Sequence, residues 1–231
     1  SQMQWWEIPA SFLEGHFVIR LLEPPSTSLP ELMQSLRRNR YRKPFILEDR
    51  TIRRLQFGLR YAQSEMRLDD PWALSLAYTQ KMMAALLFQP DPRHVVLVGL
   101  GGGSMTKFCY RALPQARITA LEIDATVIEM RRLFEVPEPD ERLRILHRDA
   151  LDWFSRGREK ADLVLLDGCD RDGVAPAFCE PDFYQNVRDR LSRGGLLVAN
   201  LIGAVKRVRT ILDEIERVFE GRCLVLTMRE G

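Results

Sequence analysis

Two aspartates carry the most specific chemistry in the chain. The apolar run Ala161 to Leu166 leads into Asp167-Gly168-Cys169-Asp170. A carboxylate at the end of a buried strand can orient an amine and accept its proton as the nitrogen attacks an electrophilic carbon. The competing reading is an Asx-turn that carries the chain out of the strand, and it weighs more at Asp170 than at Asp167.

Three further stretches describe a ligand rather than a reaction. Val95 to Val98 runs into Gly99-Leu100-Gly101-Gly102-Gly103-Ser104. Such a turn lets backbone approach a ligand closely and hands it the free N–H groups of the next helix. The next apolar run ends in Leu121-Glu122-Ile123-Asp124, and a carboxylate there can accept from both ribose hydroxyls. Ser104 at the last position breaks the strict G-x-G-x-x-G form and argues against a dinucleotide. His147-Arg148-Asp149-Ala150 closes a third run. Asp149 either accepts from an adenine amine or caps the following helix, and both can hold together.

These residues need a scaffold that collects strand ends. Short continuous apolar runs (Val95 to Val98, Ile118 to Ile123, Leu143 to Leu146, Ala161 to Leu166, Leu196 to Leu201, Cys223 to Met228) alternate with helical segments. The helices are read at Met105 to Leu113, Thr126 to Phe134, Ala150 to Arg158, Asp182 to Leu191 and Ala204 to Phe219, with one more from Ala73 to Phe88 before the first run. Runs buried on both faces and separated by helices predict an α/β fold: a Rossmann-like, doubly wound, mostly parallel sheet. The first part differs. Phe17 to Leu22, Pro44 to Leu47 and Arg54 to Leu59 read as short strands, with a loop at Pro24 to Ser28. The chain therefore divides into a small N-terminal β unit, 1–70, and a nucleoside-binding domain, 71–231.

Composition narrows the function classes. The 34 basic and 32 acidic side chains leave a net charge of +2, which gives no general pull toward nucleic acid or membrane. The basic run Arg37 to Lys43 reads as a solvated loop. No apolar run reaches a membrane span, and the start lacks a signal-peptide layout. The four cysteines and three histidines show no ligand spacing, so neither a metal nor a disulfide framework is expected, and a cytoplasmic setting is.

From Pro90 to Asn200 the sequence resembles the spermidine synthase (aminopropyltransferase) family. Pro90-Asp91-Pro92-Arg93 is similar to the segment before its first strand. Gly99 to Ser104 takes the place of its GGGDGG turn, and Glu122-Ile123-Asp124 matches its EID. Asp149-Ala150 matches its acid-small pair, Asp167 to Asp170 its DSSD loop, and Phe183-Tyr184 its aromatic pair. Upstream, Gln63-Ser64-Glu65 looks like its Q-[ST]-E segment.

The resemblance implies the class I methyltransferase-like form of the parallel sheet, and it implies roles. Decarboxylated S-adenosylmethionine, or S-adenosylmethionine itself, would be the co-substrate. Glu122 would hold the ribose and Asp149 with Ala150 the adenine, while Ile123, Gly99, Gly101, Gly102 and Gly103 would also line the nucleoside site. Gln63 would contact the nucleoside side. Asp167 would deprotonate the amine and Asp170 would hold it. A homodimer acting on a small amine is implied, with no metal and no nucleic acid.

Departures matter equally. The acid of GGGDGG falls at Gly102, which removes a partner for an ammonium and a repulsion against a carboxylate. Met66-Arg67-Leu68-Asp69-Asp70 and the displaced Tyr78 disturb the family's amine-facing segment, and no residue before Gly231 matches its later tyrosine. Three functions fit: aminopropyl transfer with altered amine choice, methyl transfer from S-adenosylmethionine, or nucleoside binding without catalysis.

Overall fold

A computed structural model describes residues 4–8, 17–21, 28–59, 62–180 and 182–227. The parallel sheet forms where the apolar runs lie. Its strands are β6 (His94–Val98), β7 (Arg117–Glu122), β8 (Leu143–His147), β9 (Ala161–Leu166) and β12 (Leu191–Ala199), in the order β12-β9-β6-β7-β8. Every pairing is parallel. The chain builds outward from β6 through β7 to β8, then returns to the other side of β6 with β9. That reversal opens a crevice at the carboxyl ends of β6 and β9.

Alternation along the strands divides the interior in two. Val95 and Leu97 of β6 enter one core with Ile118, Ala120, Leu163 and Leu165. Val96 and Val98 enter the other with Leu121, Val164 and Leu166. Helices α2 (Ala77–Met83), α3 (Ser104–Ala112) and α4 (Ala125–Met130) cover the first face. Helices α5 (Ala150–Arg156), α6 (Phe183–Arg190) and α7 (Val205–Val218) cover the second. Phe134, fully buried in the first core, is one of its largest members; its truncation to alanine would cost about 3–5 kcal/mol.

The N-terminal unit is an antiparallel sheet in sequence order: β1 (Gln4–Ile8), β2 (Phe17–Leu21), β3 (Phe45–Glu48), β4 (Ile52–Gln56) and β5 (Ala62–Arg67). Phe45 and Leu47 face a small core with Ile19 and helix α1 (Leu29–Arg37), while Ile46 points into the first core of the parallel domain. This pleat joins the two units.

Three expectations change. Helix α1 stands where only strands and loops were expected. The helix expected from Ala73 starts at Ala77 and continues as a 3-10 turn, Ala84–Leu87. Residues 223–227 form no strand: Leu224 is 71 % exposed, Lys81 Nζ donates to the Thr227 carbonyl at 3.0 Å, and β12 is the last strand of its sheet. An apolar run becomes a strand only when it pairs with an edge, and this one stands off β12. Met228 and the predicted loop over Pro24 to Thr27 lie outside the described residues. Among the described residues, no helix is long and apolar enough to cross a membrane.

Candidate functional site

The crevice brings the ends of β6 and β9 into backbone contact. Gly99 has φ +94°, and a Cβ there would lie 2.4 Å from the Asp167 carbonyl oxygen. Only glycine fits so close to that backbone, in that conformation. Asp167 N donates to Val98 O at 2.9 Å, and Gly99 N to Leu121 O at 2.9 Å, so three strand ends lock together here.

Glu122 ends β7 and is buried. Its Oε2 accepts from Leu100 N at 2.9 Å and its Oε1 from Asp124 N at 2.9 Å. The carboxylate is thus held rigidly against the turn, and the remaining lone pairs on its two oxygens are left for a diol. Beside it Ile123 is 67 % exposed, an apolar platform at the rim. Asp149 Oδ1 accepts from Leu151 N at 2.8 Å, which is the N-cap of α5. Its other oxygen has no bonding partner among the described residues, so the cap and a ligand contact are compatible. Ala150 follows, buried.

Gly101 and Gly103 shape the turn with positive φ. Gly102 is different: a Cβ there would meet Phe134 Cδ1 and Ser64 Oγ, each at 2.8 Å. The volume that a side chain would need is already filled by an aromatic ring and a hydroxyl.

Asp167 is the most constrained acid of the crevice. Its Oδ1 accepts from Asn200 Nδ2 at 2.8 Å and its Oδ2 from the Tyr78 hydroxyl at 3.0 Å. Burial pushes its pKa above the ordinary carboxylate value, and the bonds from Asn200 and Tyr78 pull the other way. Burial and the Asp167 charge raise the Tyr78 phenol, which keeps it a donor. Burial, then Asp167 and Asp170, push the Cys169 thiol up to about 12, so it stays protonated.

Asp170 lies on a small hairpin, β10 (Cys169–Asp170) and β11 (Gly173–Val174). Its Oδ1 accepts from Asp172 N at 2.7 Å, the anticipated Asx-turn. Gln63, on β5, donates from Nε2 to the Asp170 carbonyl at 3.2 Å. Sequence reasoning missed Asn200 as a partner of Asp167. The signal was there, a polar residue ending the apolar run of β12.

Gln63, Tyr78, Gly99, Gly101, Glu122, Ile123, Asp149, Ala150, Asp167, Asp170 and Asn200 line one open cleft of about 2810 Å³, which continues past β12 to residues 223–227; Gly102 and Gly103 lie behind its wall. Among the described residues, no cluster of side chains suits a metal ion.

A parallel sheet with its glycine turn beside the order reversal and an acid ending the adjacent strand defines a Rossmann-like, class I methyltransferase-type domain. Within that class the chain belongs to the spermine/spermidine synthase family: the family model described as the spermine/spermidine synthase domain matches residues 76–223. A polyamine aminopropyltransferase of Neisseria meningitidis is 35% identical over 209 residues, 90% of this chain and 75% of that protein. An eEF1A lysine and N-terminal methyltransferase homolog of Drosophila melanogaster is 33% identical over 141 residues, 57% of this chain and 21% of that protein. In fold, the spermidine synthase of Thermotoga maritima superposes with a TM-score of 0.59 at 15% identity, over 93% of this chain and 70% of that one.

Proposed function

We propose that this protein transfers an aminopropyl group from decarboxylated S-adenosylmethionine to a primary amine of the polyamine type. The amine lone pair attacks the carbon next to the sulfonium. The C–S bond breaks, its electrons neutralise sulfur, and methylthioadenosine leaves. The proton released from nitrogen goes to Asp167. The sulfonium already activates the carbon, so the protein's task is orientation and proton acceptance.

One observation carries this reading. Asp167 sits in backbone contact with the nucleoside turn, buried enough to raise its pKa, with both oxygens held by neutral donors. A carboxylate so placed is a better base than a solvated one. In the same reading Glu122 binds the ribose. Asp149 and Ala150 take the adenine, Ile123, Gln63 and Gly99 to Gly103 line the nucleoside side, and Asp170 holds the amine. The protein works as a cytoplasmic homodimer, and its regions 1–70 and 71–231 are separate units.

Gly102 favours a second reading, methyl transfer from S-adenosylmethionine. No acid at that position selects an ammonium over a carboxylate. The experiment is a panel of putrescine, cadaverine, spermidine and diaminopropane with each nucleoside. Release of methylthioadenosine, lost by at least about a hundredfold in kcat in Asp167→Asn, supports aminopropyl transfer. S-adenosylhomocysteine accumulating instead establishes methyl transfer. If neither product forms, the site binds without turnover and both transfers are excluded.

A further inference from the structure

The hairpin that carries Asp170 is short, and its base and its tip are tied to different parts of the chain. At its base, Val174 N donates to Ile202 O at 2.7 Å and Ala175 N to Gly168 O at 3.0 Å, both within the parallel domain. At its tip stands Arg171. Its Nη2 donates to Tyr41 O at 2.8 Å and to Phe57 O at 2.7 Å. Its Nη1 reaches Asn39 Oδ1 at 3.1 Å and Asn39 O at 3.4 Å. Every one of these acceptors belongs to the N-terminal unit.

Gln63 ties in the opposite direction, from β5 to the Asp170 carbonyl at 3.2 Å. The residue before Arg171 is thus held by a neutral amide, while Arg171 itself reaches out with a planar, charged fork. Charge-assisted bonds of this kind are roughly twice as strong as neutral ones. Three backbone carbonyls and one side-chain amide oxygen match a guanidinium's spread of donors; a lysine ammonium cannot span them. None of these hydrogen bonds of Arg171 goes to a residue of β6, β7 or α5.

We propose that Arg171 is a positioning residue for the amine. It docks the hairpin tip on the loops of the N-terminal unit at Asn39, Tyr41 and Phe57 and so fixes Asp170 in the cleft. The inference rests on the assignment of the amine side made above. The consequence is a split: losing Arg171 loosens the acceptor side and leaves the nucleoside side as it was.

The test uses the full chain with Arg171→Met, which keeps the apolar stem, and Arg171→Lys, which keeps the charge without the fork. Three quantities are read: KM and kcat for the best amine of the panel, methylthioadenosine affinity by calorimetry, and amide hydrogen exchange across 168–175. In Arg171→Met, KM for the amine should rise about tenfold or more while methylthioadenosine affinity stays within about twofold. Exchange in the hairpin should quicken. Arg171→Lys should move the same way. Wild-type behaviour in Arg171→Lys would show that charge alone suffices and overturn the docking role. An equal loss of amine and nucleoside affinity in Arg171→Met, with a lowered Tm, would make the residue a general structural one and overturn it too. If the wild type turns over no amine, the aminopropyl reading fails separately. Hydrogen exchange then decides for Arg171: quickening confined to 168–175 sustains the clamp, and unchanged exchange removes it.

Discussion

Tyr78 donates its phenolic hydrogen to Asp167 Oδ2 at 3.0 Å, joining the helix before the parallel sheet to the end of the sheet's β9 strand. The bond stabilises the ionised carboxylate against the burial that opposes it.

Tyr78→Phe should therefore raise the Asp167 pKa further. On the proposed reading turnover needs the carboxylate, so activity rises with pH as Asp167 ionises, and the acidic limb of kcat/KM should move to higher pH in the variant. A profile of methylthioadenosine release from pH 5 to 9 checks this; a limb at the wild-type position would remove Tyr78 from the control of Asp167.

Asp167 also leaves a mark on stability. Its folded pKa is raised above the ordinary 3.8, so the folded state holds the proton more tightly than the unfolded chain. Stability then falls as pH rises from about 3.8 through the folded pKa, and the penalty persists above it. Asp167→Asn abolishes that slope. Urea unfolding at pH 4 and pH 8 should show the variant gaining relative to wild type at the higher pH. The pH dependence of the difference is the readout, since the amide also alters the bonds to Asn200 and Tyr78.

Glu122→Gln should weaken methylthioadenosine binding by about 1–3 kcal/mol. Both oxygens of Glu122 accept backbone N–H groups, from Leu100 and Asp124. An amide NH2 must face one of them, donor against donor, so the turn loosens along with the ribose contact. Calorimetry decides; undiminished affinity would place the ribose elsewhere.

Gly102 sets two expectations. Decarboxylated and ordinary S-adenosylmethionine should bind within about a hundredfold of each other, roughly 2.7 kcal/mol. A larger preference would mean that another acid selects the ammonium. Gly102→Asp should lower unfolding stability by about 1–3 kcal/mol, because its Cβ meets Phe134 and Ser64. Chemical denaturation of the variant measures this.

The parallel sheet was legible because its strands are continuous apolar runs, and the fully buried β6 is the plainest case. The glycine turn, Glu122 and the Asp167 loop were legible because strand ends carry polar residues that burial would otherwise forbid. Helix α1 was harder to read. Leu29, Leu32, Met33 and Leu36 recur at helical spacing, but Pro30 in the first turn and the arginines that follow look like a loop. The run Cys223 to Thr227 misled in the other direction, since β character in a sequence says nothing about whether an edge receives it. Asn200 showed only as a polar residue at the end of an apolar run, and Arg171 acts through contacts with residues far away in the chain that no local pattern announces.

The backbone contact between Gly99 and Asp167 has a bearing on how such a protein can diversify. The glycine turn and Asp167 share one junction, so neither can drift without disturbing the other. The hairpin and the N-terminal unit are tied to each other by the side chains of Gln63 and Arg171. Neither side chain makes a hydrogen bond to Gly99 or Asp167. A lineage adopting a new acceptor would accumulate its changes along that seam, while the strand ends of β6, β7 and β9 stay as they are.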